Sequence, residues 1–428
     1  MFGASYHRST PATFNALRLT KGLVCRYFAS TSSLSTSVPN VNRVYWLSSG
    51  NIYRNLAFET TLFNNKLRYT IEPSSKTRPA DVVMWCSDPC VVIGRNQIAW
   101  LETSPHEVEG RGWLLARRMS GGGAVFHDTG NLNVSFLESR STLKRQECMQ
   151  FLQHTLMSKW PDLNVFVGPR HDLWLLPSGV SVEEGTKEVP EGGLKFSGAA
   201  SRFSSVAALH HCTLLFNADL TTMSSVLQPA VPEIETMASR SVPSPVTNLR
   251  VPGNELRTTL LQACSKRLGA SARDGEAEVV TVNAGEEGNW ISRKDFEANL
   301  ATFQSWDWIY GGSPKFSIPM ETEDGTVLRL NCEKGRVVSL VRDGGATSPI
   351  PLLQRISSAL SRKPSSDAWL EKLNEALAGK PLCFEALHNA LLDFEVSVSS
   401  ATGGDDPEDP FGPKAQIIDR LRAMATCF

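Results

Sequence analysis

Three consecutive glycines inside Arg117-Arg118-Met119-Ser120-Gly121-Gly122-Gly123-Ala124-Val125-Phe126-His127-Asp128 constrain this chain more than any other stretch. A Gly-Gly-Gly run followed by the β-favouring Ala-Val-Phe cannot sit in the middle of a stable helix. It reads as a tight turn feeding a strand, where missing Cβ atoms let backbone N–H groups approach a ligand closely. Two arginines precede the turn, and guanidinium forks bind carboxylates and phosphates in bidentate fashion. The ligand expected from these residues is a small anion, phosphorylated by preference. Many Gly-Gly-Gly runs are plain flexible loops, and this one is neither a P-loop nor a dinucleotide fingerprint. What argues for a built site is the continuation Thr129-Gly130-Asn131-Leu132-Asn133-Val134-Ser135-Phe136, where apolar and polar residues alternate as in a strand.

At 428 residues the chain is long enough for two or three domains. With 41% hydrophobic and 20% charged residues and a formal net charge of -1, it lacks the excess of positive charge that a broad nucleic-acid surface needs. No apolar stretch approaches the length of a membrane span. No Asp or Glu precedes Glu59, whereas Arg8, Arg18, Lys21 and Arg26 fall among many Ser, Thr and Ala. Such an acid-free, Arg- and Ser-rich start predicts a mitochondrial transit peptide over residues 1–38, with Arg26-Tyr27-Phe28-Ala29-Ser30 as a processing site and the matrix as destination. A disordered tail that happens to lack acids is the alternative. The 9 cysteines are scattered and odd in number, which argues against a disulfide framework. Cys86 and Cys90 have no second pair nearby to complete a zinc site.

Hydrophobic patterning predicts strands at Val44–Leu47, Val82–Trp85, Val91–Ile93, Asp172–Leu176, Lys195–Ser197 and His210–Phe216. It predicts helices over Asn55–Asn65, Glu147–Lys159 (stopped by Pro161) and Glu255–Leu268. Ser178–Gly193 is polar and reads as an exposed loop. Leu328–Cys332 and Val337–Val341 form a hairpin around Glu333-Lys334-Gly335, followed by helical spacing in Leu352–Leu360, Trp369–Leu377 and Phe384–Phe394. The implied organisation is a catalytic domain over 39–250, a helical linker over 251–300, a C-terminal accessory domain over 301–400 and a tail over 401–428. That tail is Gly-, Asp- and Pro-rich at first and ends in a short helix.

The Ser-Gly-Gly-Gly-Ala-Val-Phe-His-Asp run and the Gly-Asn-Leu-Asn strand resemble the lipoate-protein ligases and lipoyltransferases. The resemblance extends upstream to Ser49–Glu59 and Val91–Gln97. Downstream it takes in Leu194–Ser201, His210–Leu220, Ser241–Leu249 and Trp306–Phe316. It implies an α+β fold, with mixed β-sheets flanked by helices as in the biotin and lipoate ligases, and a small α+β accessory domain. It also implies an enzyme with two half-reactions. Lipoate attacks the α-phosphorus of ATP, with Mg2+, to give lipoyl-AMP. A lysine of a lipoyl domain then takes the acyl group, on a 2-oxoacid dehydrogenase E2 subunit or the glycine-cleavage H protein. A transferase using preformed lipoyl-AMP or a lipoylated H protein is the alternative. Less favoured are a cysteine-dependent octanoyltransferase acting through Cys212 and a non-catalytic lipoyl-binding protein. A monomer acting without nucleic acid or membrane is expected.

By the same resemblance Lys195 is the catalytic cation, a compact point charge for the carboxylate and the α-phosphate. Arg118, Gly123, Ala124, Val125, Phe126 and Asp172 join it in nucleotide binding. Gly122, Gly123, Asn131, Asn133, Lys195, Ser197, Gly198 and His211 are implied lipoyl contacts. No metal site is specified, with Asp172 the one residue the resemblance offers near the magnesium region. The preceding His171 stands where the bacterial ligases carry asparagine, which departs from the family pattern at that spot.

Overall fold

The computed structural model describes residues 42–68, 80–183, 185–186, 188–270, 275–321, 325, 327–342, 368–401 and 413–428. The expected presequence and the helical spacing at Leu352–Leu360 lie outside these residues, as does nearly all of the Gly/Asp/Pro-rich stretch. Its central element is a six-stranded sheet built from β1 (Arg43–Leu47), β2 (Asp81–Trp85), β6 (Asn131–Ser139), β10 (Ala199–Phe203), β11 (Ala207–Leu215) and β12 (Glu278–Val282). The spatial order is β10-β11-β6-β2-β1-β12. β1 runs parallel to β2 and β12, whereas β2–β6, β6–β11 and β11–β10 are antiparallel, so the sheet is mixed.

Period-two alternation lets this sheet bury both faces. Tyr45, Val83, Leu137 and Leu209 pack beneath α1 (Ile52–Arg68) and α7 (Arg293–Gln304), against Leu56, Phe58, Phe296 and Phe303. Val82, Met84, Val134 and Phe136 face α4 (Arg145–Lys159) and α6 (Gly253–Ala270), against Leu152, Leu156, Leu256 and Leu260. Each such buried side chain contributes about 1.5–3 kcal/mol over the exposed state. Helix α1 starts where it does because Asn51 accepts from the N–H groups of Tyr53 (2.9 Å) and Arg54 (3.2 Å), an N-terminal cap. A buried ion pair, Lys66 to Asp81 at 2.8 Å, fixes its far end to β2.

Two small sheets carry the site. One orders β4 (Leu114–Arg117), β3 (Cys90–Ile93) and β5 (Val125–His127); the other orders β7 (Val165–Val167), β8 (Leu173–Leu175) and β9 (Leu194–Ser197). The short helices α2 (Ala99–Glu102), α3 (Pro105–Gly110), α5 (Leu220–Val226) and α8 (Trp306–Ile309) brace the first of these. A meander of β13 (Phe316–Glu321), β14 (Val327–Glu333) and β15 (Arg336–Arg342) packs with α9 (Ala368–Leu377), α10 (Phe384–Ala401) and α11 (Pro413–Ala425). These share one core with the glycine-turn sheet, in which Ile93 and Trp100 belong with Leu330, Leu373, Leu391 and Leu421. The acidic segment after α6 holds β12, which the sequence pattern does not reveal. Residues 178–183 and 188–193 contain no helix or strand, as a loop requires.

Candidate active site

Period two separates the two arginines that precede the glycine turn. Arg117 is fully buried on the side away from the site. Its guanidinium donates to the carbonyls of Gln97 (2.6 Å), Ile309 (2.8 Å), Trp308 (3.0 Å), Arg95 (3.1 Å) and Gly94 (3.2 Å), and to Ser313 Oγ (3.1 Å). Burial pushes its pKa down to about 9. The expectation of two ligand-facing arginines is therefore corrected: Arg117 clamps β4 to α8. Arg118 faces a cavity of ≈ 620 Å³. Its guanidinium donates to the carbonyls of Gly121 (2.6 Å) and Gly123 (2.8 Å), so it shapes the turn from within. Gly122 has φ +89°, and a Cβ on Gly94 would lie 2.1 Å from the Gly122 carbonyl oxygen. Both positions therefore need glycine.

On the opposite wall β9 places Lys195 across from Trp174 of β8. The Lys195 N–H donates to the Pro245 carbonyl (2.8 Å) and its own carbonyl accepts from Thr247 (2.9 Å), so the strand position is fixed on both sides. Nζ lies 2.8 Å from the Asp172 carboxylate and 5.8 Å from the centre of the Trp174 ring. Trp174 Nε1 donates to Asp172 at 3.0 Å. A Cβ at Gly168 would come within 2.3 Å of that carboxylate, so the glycine makes room for the pair. His171, before Asp172, has φ +60°. Histidine is among the residues that tolerate this left-handed region best.

Behind one wall of the cavity, polar side chains from four separate segments meet. His211 Nε2 lies 2.7 Å from Ser120 Oγ, and its Nδ1 lies 3.3 Å from Glu59 Oε2. Ser135 donates its hydroxyl to the same Glu59 oxygen. Burial alone would raise the Glu59 pKa, but His211, Ser135 and the charge of Arg202 together hold it below the ordinary value. Near the glycine turn, Ser241 Oγ accepts from the Ala124 N–H (2.8 Å) and from Gln97 Nε2 (3.2 Å) and donates to Glu102. Burial raises the Glu102 pKa.

Arg118, Gly122, Gly123, Ala124, Val125, Phe126, Asn133, Asp172, Lys195, Ser197, Gly198 and His211 all line this one cavity. Asn131 does not reach it; fully buried, its amide engages His127 Nδ1. Sequence reasoning missed Glu59, Ser120, Glu102 and Ser241. The available signal for Glu59 was a carboxylate in the otherwise apolar run Leu56-Ala57-Phe58 of α1. Cys212 also lines the cavity, but burial pushes its thiol far up, away from a nucleophilic thiolate. All cysteines among the described residues are free. Among the described residues no cluster of three or more His, Cys, Asp or Glu could hold a metal ion, and Asp172 is engaged by Lys195 and Trp174. No helix among them is long and apolar enough to cross a membrane.

The sequence profile of the lipoyl protein ligase A/B catalytic domain matches residues 51–266, which hold every one of these cavity residues. The chain is 30% identical over 372 residues to the mitochondrial lipoyl amidotransferase of Mus musculus, covering 84% of this chain and 87% of that protein. It is 32% identical over 284 residues to lipoate-protein ligase A of Bdellovibrio bacteriovorus, covering 65% and 75%. Among solved structures, P. falciparum LipL1 in complex with lipoate aligns with a TM-score of 0.49 at 19% identity, over 90% of this chain and 99% of that one. The chain belongs to the lipoyl protein ligase A/B catalytic domain family. It is an enzyme of lipoyl transfer.

Proposed function

We propose that this enzyme joins lipoate to a lysine of acceptor lipoyl domains through lipoyl-AMP, at the cavity between the glycine turn and Lys195. The observation that carries the reading is the Lys195–Asp172 pair at 2.8 Å, which aims an ammonium at the cavity opposite the glycine turn. In the first half-reaction a lipoate carboxylate oxygen bonds to the α-phosphorus of ATP and the bond to pyrophosphate breaks. In the second, the acceptor amine bonds to the acyl carbon, AMP leaves with the C–O electron pair, and the amine loses a proton. Both transition states carry negative charge on phosphoryl or acyl oxygens, which Lys195 Nζ and the turn's N–H groups stabilise. No covalent enzyme intermediate is required, and the protonated Cys212 offers none.

Among the described residues no group of three or more His, Cys, Asp or Glu could hold a metal ion, and magnesium enters this reading with the phosphates of ATP. The identity to lipoyl amidotransferases favours a second version, in which preformed lipoyl-AMP or a lipoylated protein is the donor. Residues 39–250 carry the chemistry and 301–400 are the accessory part, whose described residues share a core with the glycine-turn sheet. The acid-free N-terminus and the mitochondrial relatives support import into the matrix. The expected acceptors are 2-oxoacid dehydrogenase E2 lipoyl domains and glycine-cleavage H protein.

Intact-mass spectrometry of an apo-lipoyl domain with lipoate, MgATP and the enzyme tests this. A lipoyl mass increment that falls at least about 10²-fold in rate with Lys195→Ala is the expected result. An increment that needs lipoyl-AMP or lipoylated H protein selects the transferase version. A Lys195→Ala enzyme with normal turnover overturns both.

A further inference from the structure

Edge strand β10 ends at Phe203, a residue that is 41% exposed. Two guanidinium groups lie over that ring, Arg140 at 4.5 Å and Arg145 at 5.7 Å from its centre. Arg140 follows β6 and Arg145 opens α4; both are exposed, and neither makes an ion pair among the described residues. The acids next to them in the sequence have other partners: Glu147 pairs with Lys144 at 2.7 Å, and Glu138 with Arg267 at 3.8 Å. The patch is continuous with the cavity. Gln146, beside Arg145, lies 3.2 Å from His171 Nδ1. Burial first and the charge of Arg145 second push the His171 pKa down, which marks the closeness of the two. His171 in turn sits between Arg170, exposed on the cavity wall, and Asp172, the partner of Lys195.

We propose that Arg140, Arg145 and Phe203, together with Arg170, form a docking patch for an acidic face of the acceptor protein beside its target lysine. The inference rests on the lysine-acceptor reading above. With a chain net charge of -1, unpaired positive charge gathered at one rim is a local feature. Contact with the Phe203 ring restrains both guanidinium groups, and neither has a hydrogen-bond partner among the described residues, so less freedom is lost when a carboxylate arrives. A substrate lysine approaching a mouth that holds Arg170, Arg240 and Lys195 is repelled as a bare cation. A carrier with acids around that lysine reverses the sign of the encounter.

The test is steady-state lipoylation of an apo E2 lipoyl domain by the full chain, with lipoyl-AMP as donor, for wild type and the Arg140→Glu/Arg145→Glu variant. The expected result is a KM for the domain raised about tenfold or more with kcat preserved. Raising the salt should raise the wild-type KM and leave the variant's nearly flat. Calorimetric affinity for lipoyl-AMP should not change, and Arg140→Gln/Arg145→Gln should fall between the two, which guards against a folding defect of the charge reversal. A KM within about twofold of wild type in both variants overturns the patch alone. So does a KM that rises only in step with lost lipoyl-AMP binding. A wild-type enzyme that neither binds lipoyl-AMP nor modifies the domain overturns the adenylate reading and the patch with it.

Discussion

At the scale of single residues, the site depends on side chains that hold other groups in place. Ser241 joins three separate segments, because one hydroxyl engages Ala124 of the glycine turn, Gln97 and Glu102. Ser241→Ala leaves the Ala124 N–H without its partner and unties the segment that passes over the turn. A net loss of about 1 kcal/mol in stability is expected, typical of one hydrogen-bonded hydroxyl. Affinity for lipoyl-AMP should change with it, and calorimetry together with urea denaturation would check both. Unchanged values for each would show that the hydroxyl positions nothing. The place of Lys195 on the cavity wall was legible in the sequence because a lysine followed by Phe-Ser-Gly-Ala-Ala carries its context locally. Ser241 stood inside a recognisable string, yet its role depends on partners more than a hundred positions away.

At the scale of elements, β4 shows how a strand sorts neighbouring residues. By residue type and local pattern Arg117 and Arg118 look alike; the family resemblance singled out Arg118, and the direction in which β4 leaves its sheet is the physical reason that it alone enters the cavity. Arg117 closes the gap between the β3–α2 connection and α8 through five backbone carbonyls and Ser313. Arg117→Lys keeps a charge but offers one donor group where a planar fork reached several. It should cost about 3 kcal/mol or more, because carbonyls and a charge remain buried without their matched geometry. A shift in the urea midpoint reads this directly, and a midpoint equal to wild type would contradict the clamp. Strand β12 was hidden for a related reason. Of Glu278-Val279-Val280-Thr281-Val282 only Val280 and Val282 are buried, so an edge position beside β1 leaves a weak apolar signal.

At the scale of the whole molecule, buried ionisable groups set how stability depends on pH. Burial, with nearby positive groups second, pushes the His127 and His210 pKa values down to about 3 from an ordinary value near 6.5. Between those limits the unfolded chain binds protons that the folded chain refuses, so stability rises with pH. It is fully present above about pH 6.5 and is lost as pH falls toward 3. Each histidine contributes up to about 1.4 kcal/mol per pH unit well below 6.5. Glu59, held below its ordinary value, acts in the same direction at lower pH. Urea titrations from pH 7 to pH 5 should show falling stability, and His210→Gln should flatten the slope. A slope identical in that variant would remove His210 as a source.

The sequence by itself determined the turn, the strand after it, the two-faced sheet residues and the lysine motif. Each follows from local rules: missing Cβ atoms, period two, helical spacing and capping. Only the tertiary structure decided that Asp172 and Trp174 orient Lys195, and that Glu59 and Ser120 meet at His211 in the cavity wall. It also decided that Asn131 stays out and that Arg117 is a clamp. These outcomes depend on how strands of different sheets are stacked and which way each faces. Chain order cannot specify that, because residues 59, 120 and 211 become neighbours only when the sheets close around one cavity.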